Sequence, residues 1–309
     1  MGTITRAAVV GFGTMGRRIA QLLLRNGIAV RAFDVAGITA AEELRAEGAE
    51  FSVTESLEEC AAEVDIVFEA TSEDLAVKEE VLGATSRATG AIIASNTSTF
   101  RAGVLAGFVE RPQRLVLTHF FNPADVVPLV EVIRAPGTTE DVVRTVLDLL
   151  HRLGKRPVVA GDVEGFIANR LQAAVLREAL SLVHRGLATP EDVDAVVRHG
   201  LGPRWSVAGP IGVADLGGLD VWEAVCAQVF PTLANGSAPP GSIVEHVRAG
   251  RLGAKSGAGF YDYPEGADRR ALAAMEELFT HLAERDAERE RTAERERDAE
   301  RERDADTAR

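Results

Sequence analysis

Through the first half of the chain, apolar residues fall into short unbroken runs that alternate with longer stretches of helical period. The runs at 7–10, 28–33, 64–70, 91–94, 114–117, 128–133 and 157–159 are too short for helices and lack polar alternation. Strands buried on both faces of a parallel sheet read this way. Between them, Ile19, Leu22 and Leu23 share one face of a segment closed by Asn26-Gly27. Further helices are predicted over 40–48, 56–63, the stretch carrying Lys78, and 141–153. Strand and helix in alternation predict a doubly wound α/β domain over residues 1–161.

After Gly161 the strand pattern stops. A long helix is predicted over 167–184, with Ile167, Leu171, Val175 and Leu182 as core candidates, and Pro190 opens another through Val193 and Val197. Residues 200–218 are rich in glycine and proline, 219–230 is helical again, and Lys255 to Tyr263 reads as a glycine-rich loop running into aromatics. An all-α second domain over 162–282 follows. From 283 to 309 the chain is charged and repetitive, with alanines six apart at Ala287, Ala293 and Ala299 and no apolar stripe for a coiled coil. Pairing of opposite charges there is worth only about 0.2–0.5 kcal/mol each, so a mobile, functionally optional tail is expected.

Composition narrows the partners. With 309 residues, 46% of them hydrophobic, the chain can build an ample core. A net charge of −13 gives no basic face for nucleic acid, and no apolar run is long enough to span a membrane. Cys60 and Cys226 have neither metal nor redox spacing, so reduced, incidental thiols are expected; Met1–Arg6 give way directly to a strand, so a cytoplasmic location is expected.

The first predicted strand runs directly into Gly11-Phe12-Gly13-Thr14-Met15-Gly16, then a helix, a second strand, and Asp34. The first glycine of this order permits a tight turn, the second lets a pyrophosphate approach the backbone, and the third lets helix pack on sheet. Thr14 and Met15 open a helix whose N-terminal N–H groups face the phosphates. Asp34 is placed to accept hydrogen bonds from ribose hydroxyls and to repel a 2′-phosphate, which predicts NAD in a Rossmann-like domain.

The second candidate centre is Leu117-Thr118-His119-Phe120-Phe121-Asn122-Pro123, with Glu131 twelve residues past the histidine. Two successive strands ending in one crevice would let the carboxylate orient an imidazole base and offset its charge. Ser95-Asn96-Thr97-Ser98 ends another strand, where polar groups line the ligand crevice of open α/β sheets or cap a helix.

Together these residues are similar to the 3-hydroxyacyl-CoA dehydrogenase family from residue 5 to about 265. The resemblance rests on the glycine loop, Ser95–Ser98, His119–Pro123, Gly165-Phe166-Ile167-Ala168-Asn169-Arg170, Gly218-Leu219-Asp220 and Lys255–Tyr261. It implies a catalytic His119–Glu131 pair, with Ser98 and Asn169 as polar partners of the substrate oxygen. It also implies cofactor contacts at Asp34, Glu73, Lys78, Ser98, Asn122 and Lys255, a role in fatty acid metabolism, and a homodimer formed through the helical domain. One departure stands out. Family members carry a longer segment, with lysines that hold CoA, between the acid after the second strand and the Glu-Ala strand end. Here Asp34 and Glu69 are only 35 positions apart, and Arg45 is the sole basic residue between them. The expected activity is NAD-dependent oxidation of a 3-hydroxyacyl group on CoA or a carrier protein. The alternatives are a small free hydroxy acid, such as a sugar acid or carnitine, or a non-catalytic dinucleotide-binding relative.

Overall fold

The computed structural model describes residues 2–39, 44 and 49–307. The chain packs as two units, Met1–Ile167 together with Ala271–Arg309, and Ala168–Arg270. The division falls at 167/168, a few residues past the 161/162 boundary expected from the loss of strand pattern.

Among the described residues of the first unit, eight strands form one sheet: β1 (Arg6–Val10), β2 (Ala29–Phe33), β3 (Phe51–Val53), β4 (Ile66–Glu69), β5 (Ile92–Ser95), β6 (Leu115–Phe120), β7 (Leu129–Arg134) and β8 (Arg156–Ala160). Their order is β3-β2-β1-β4-β5-β6-β7-β8, and the chain reverses direction outward from β1, as a doubly wound sheet does. Every pairing is parallel except β6 with β7. Only a short loop joins those two, too short for the crossover a parallel pair requires. β3 has no counterpart in the sequence reading, because three residues on a sheet edge leave no periodic signal. The helix predicted over 40–48, Arg45 included, lies outside the described residues except for Leu44, which is buried.

Helices cover both faces: α1 (Thr14–Arg25), α2 (Leu57–Ala61), α3 (Leu75–Ala88), α4 (Ala102–Leu105) and α5 (Glu140–Arg152). Ser56, Asp74 and Thr139 cap α2, α3 and α5 through side-chain oxygens, satisfying N–H groups that have no partner inside the helix. Alternation along the strands sorts the core. Val116, Phe120, Val130 and Val132 join Ile19, Leu23 and Leu149 on one face. Leu115, Leu117 and Ile133 join Leu82, Leu105 and Phe166 on the other. His119 and Glu131, in step with Leu117 and Ile133, therefore belong to this second face.

The second unit is helical: α6 (Ala168–His184), α7 (Pro190–Val196), α8 (Gly202–Gly217), α9 (Leu219–Val229) and α10 (Gly241–Arg248). The glycine- and proline-rich stretch forms α8, bent where Gly209 adopts φ 67° before Pro210. Of the expected core of α6, Ile167, Leu171 and Val175 are exposed in the single chain, and Leu180 is the buried residue of that helix. α11 (Ala267–Thr307) runs as one helix through the charged repeat, and its residues from Ala271 belong to the first unit. There Glu276 pairs with Arg18 of α1 at 3.0 Å. No helix among the described residues is long and apolar enough to cross a membrane.

Candidate active site

The glycine loop leaves β1 with Gly11 at φ 88°, where a Cβ would meet the Ala70 and Thr71 backbone at 2.6 Å. A Cβ on Gly16 would strike the Gly11 carbonyl at 1.9 Å, so helix and loop touch backbone to backbone. Gly13 instead borders open space, and no side chain caps the start of α1. The helix therefore presents uncapped N–H groups beside a cradle with room for a phosphate. At the end of β2, Asp34 accepts hydrogen bonds from the N–H of Phe12 at 2.6 Å and of Ala36 at 2.8 Å. It lines a cavity of about 620 Å³ with Gly11, Gly13, Thr14, Met15, Thr71 and Val77. Loop, helix start and acid thus converge on one cleft, and their donor set fits a dinucleotide.

His119 and Glu131 meet by register. They are directly opposed across the antiparallel β6–β7 pair, so both side chains leave the same face of adjacent strands. Nδ1 of His119 lies 2.8 Å from Oε2 of Glu131, and both residues are buried. The other oxygen, Oε1, accepts from the Ile167 N–H at 2.8 Å. A carboxylate is an acceptor only, so this contact keeps the proton on Nδ1 and leaves Nε2 with its lone pair. Phe121 and Phe166 wall the imidazole, with ring centroids 4.4 and 5.5 Å away. Gly165 and Phe166 both take left-handed backbone, at φ 75° and 49°. That turn at once packs Phe166 on the imidazole and points the Ile167 N–H at Glu131. An aromatic residue held at positive φ is uncommon and strained.

Beside this pair, Asn96 accepts from the Phe120 N–H at 2.9 Å and holds the end of β6. Ser98 is half-buried, and its N–H donates to Oε1 of Glu73 at 2.7 Å. Burial alone would push the Glu73 carboxyl up. Hydrogen bonds from Thr97 and the Ser98 N–H, with the Lys78 charge, outweigh it and hold the group below its usual range. Lys78 is 1% exposed and bonds Glu69 at 2.8 Å. Asn122 is exposed in the loop after β6. Asn169 and Lys255 belong to the second unit, in the first turn of α6 and in an exposed turn over Ala254–Ser256. The sequence places Asn96 and Phe166 in longer motifs and Glu69 at a strand end, without giving any of the three a role of its own. Glu69 did leave a signal, as a carboxylate closing the otherwise apolar Ile66-Val67-Phe68 run.

The 3-hydroxyacyl-CoA dehydrogenase NAD binding domain matches residues 6–50 and 36–163, and the 3-hydroxyacyl-CoA dehydrogenase C-terminal domain matches residues 165–263. The chain belongs to the 3-hydroxyacyl-CoA dehydrogenase family. It is 35% identical over 286 residues to a probable 3-hydroxybutyryl-CoA dehydrogenase of Bacillus subtilis, covering 85% of this chain and 98% of that protein. It is 33% identical over 281 residues to 5-formyl-3-hydroxy-2-methylpyridine 4-carboxylate 5-dehydrogenase of Mesorhizobium japonicum, covering 84% of this chain and 91% of that protein. A crystal structure of the 5-dehydrogenase of that pyridine acid, described as an NAD+ dependent dismutase, superposes with a TM-score of 0.84 at 31% identity, over 92% of this chain and 98% of the other. The (S)-3-hydroxybutyryl-CoA dehydrogenase of Ralstonia eutropha superposes with a TM-score of 0.67 at 32% identity, over 85% of this chain and all of the other. This family member is thus an NAD-dependent oxidoreductase acting on CH–OH groups.

Proposed function

We propose that the protein interconverts a 3-hydroxyacyl thioester and its 3-oxo form, with His119 as general base and acid. The buried Nδ1–Glu131 contact at 2.8 Å carries this reading, because it leaves Nε2 as the basic nitrogen. Bound NAD supplies the hydride acceptor. His119 takes the proton of the 3-hydroxyl on Nε2 and returns it in reduction, while Glu131 offsets the charge on the imidazolium. Ser98 donates to the substrate oxygen when it gains negative charge, a role that the family resemblance alone also gives Asn169. Asp34, the Gly11–Gly16 loop, Glu73, Lys78, Ser98 and Asn122 form the cofactor side in the first unit, and the family resemblance alone adds Lys255. Replacing His119 with Ala is expected to lower kcat roughly 10²–10⁴-fold with NADH affinity within about threefold. A variant that kept a tenth of the wild-type rate would move the base elsewhere.

A second reading, oxidation of a small free hydroxy acid, is favoured by the short span from Asp34 to Glu69 and by the TM-score of 0.84 with an enzyme named for a free pyridine carboxylate. Side-by-side NADH formation from 3-hydroxybutyryl-CoA, the same acyl group on a phosphopantetheinyl carrier protein, and the free acid separates the two. Turnover of a thioester alone upholds the first reading, and turnover of the free acid alone replaces it.

Within the segment expected over 162–282, the second unit, Ala168–Arg270, is read as the substrate and dimerisation domain, on the ground that α8 and α9 expose apolar side chains such as Ile211, Leu216, Leu219 and Val221. A cytoplasmic location is inferred, in keeping with Cys60 and Cys226 both being free thiols.

A further inference from the structure

The turn after β8 holds a carboxylate that the hydride-transfer chemistry leaves unused. Oδ1 of Asp162 accepts from the Ala102 N–H at 2.8 Å, and Oδ2 accepts from the Gly103 N–H at 2.9 Å. These are the first two amides of α4, and the residue before them, Arg101, supplies no side-chain cap. The first N–H groups of a helix have no partner inside it, and a carboxylate makes a strong, charge-assisted bond to them. The cap thus comes from 60 residues further along the chain. Gly103 leaves room for it, since a Cβ there would lie 3.2 Å from Oδ2. Arg101 adds its charge, with Nε 3.7 Å from the same oxygen.

Two segments that reach the candidate site meet at this clasp. α4 continues from the Ser98 loop, whose Thr97, Ser98 and Thr99 are bound by Glu73. Past Asp162, Phe166 is 1% exposed, packs in one cluster with Ala102 and Leu105, and faces the imidazole. The next residue, Ile167, donates its N–H to Oε1 of Glu131. Between these anchors Gly165 and Phe166 hold positive φ, a conformation that persists only where its surroundings over-determine it. Asp162 fastens the start of that turn, and Glu131 receives its end.

We propose that Asp162 is a positioning residue for the His119–Glu131 pair. By clasping α4 it fixes the strained turn that holds the Ile167 N–H on Glu131 and Phe166 on the imidazole. This role rests on the reading of His119 as the base. Without the clasp the turn relaxes, Glu131 loses a donor, and the imidazole loses its fixed orientation.

The test joins kinetics to a readout on the cofactor-free protein. Asp162→Ala removes both acceptors, and Asp162→Asn keeps one, because its NH2 would face an N–H. Asp162→Ala is expected to lower kcat by about tenfold or more while NADH affinity, followed by fluorescence, stays within about threefold. Asp162→Asn should fall between it and wild type. Hydrogen–deuterium exchange over residues 102–105 and 163–167 should speed by about tenfold or more in Asp162→Ala, with β1 and β4 unchanged. Placed on Glu131→Ala, Asp162→Ala should cost less than about twofold further in kcat, because it acts through that carboxylate. Should Asp162→Ala fail to fold, Asp162→Asn is judged by the same readouts. Unchanged exchange over 163–167 overturns the proposal, as does a rise spread equally over β1 and β4, or a full further loss on Glu131→Ala. Undiminished kcat overturns it too where His119→Ala is inactive. If exchange rises as expected yet His119→Ala keeps a tenth of the wild-type rate, the clasp on the turn stands and the reading of His119 fails.

Discussion

At the scale of single residues, the decisive contacts are those with no freedom left. Both oxygens of Glu131 are committed, one to His119 Nδ1 and one to the Ile167 N–H. Glu131→Gln therefore has a directed consequence. The Ile167 N–H needs an acceptor, so the amide oxygen takes that position and the NH2 faces Nδ1. Nδ1 must then accept, which moves the imidazole proton to Nε2, where the base lone pair is required. A loss in kcat of about 10²–10⁴-fold is expected by analogy with the wrong-tautomer effect in a catalytic triad, with the exchanged tautomer visible in the imidazole 15N shifts. An unchanged tautomer would remove the explanation. Lys155 offers a stability test. It is buried, donates to the Val127 carbonyl at 2.9 Å, and is lowered to about 8 by loss of solvent, which the nearby Asp125 charge only partly opposes. Between about 8 and its ordinary 10.5, the unfolded chain holds a proton that the folded one has released. Stability therefore rises with pH across this window and the contribution is lost as pH falls through 8. The stability of wild type minus that of Lys155→Met, measured by urea unfolding at pH 7.5, 9 and 10, should grow with pH. A flat difference would show that Lys155 stays charged in the fold.

At the scale of elements, one reversal makes the site. β7 runs against β6, and that direction sets His119 opposite Glu131. The sequence shows two apolar runs with a histidine and a glutamate, and it shows the glycine loop, helix and acid in order. Strand direction is invisible to it, because parallel and antiparallel buried strands share one composition. The sequence pattern puts His119 at the end of its apolar run and Glu131 in the middle of its own; both lie within their strands, His119 one residue before the end of β6. Burial of the Lys78 ammonium was equally hidden, since a lysine on a helix face reads as solvated until its turn is packed. The charged repeat gives a further test. Beyond the contact of Glu276 with Arg18, the side chains described on α11 are mostly exposed, and opposite-charge neighbours there add only about 0.2–0.5 kcal/mol each. Deleting residues 287–309 should shift Tm by less than about 2 °C and leave NADH affinity unchanged. A larger loss would give the repeat a structural role.

At the scale of the whole molecule, the second unit is short of a core. Three of the four positions that helical period marks as buried along the helix predicted over 167–184, Ile167, Leu171 and Val175, are exposed, and Ile211 and Leu216 of α8 are 80% and 81% exposed in the single chain. Helices that leave such residues in water forgo about 1.5–3 kcal/mol for each large side chain, and contiguous apolar surface marks an interaction site. A second copy of the chain is the partner consistent with the family reading. Two copies, each with a net charge of −13, repel one another. Apolar burial must then drive the association, and screening salt should strengthen it rather than weaken it. Sedimentation at micromolar concentration is expected to give a dimer whose dissociation constant falls as sodium chloride rises from low to physiological strength. Ile211→Glu, and separately Leu216→Glu, should shift the species to monomer by placing a carboxylate in an apolar interface. A wild-type monomer across that range would overturn the dimer. A dimer weakened by salt would instead place its attraction in charge pairs rather than in the exposed faces of α8 and α9.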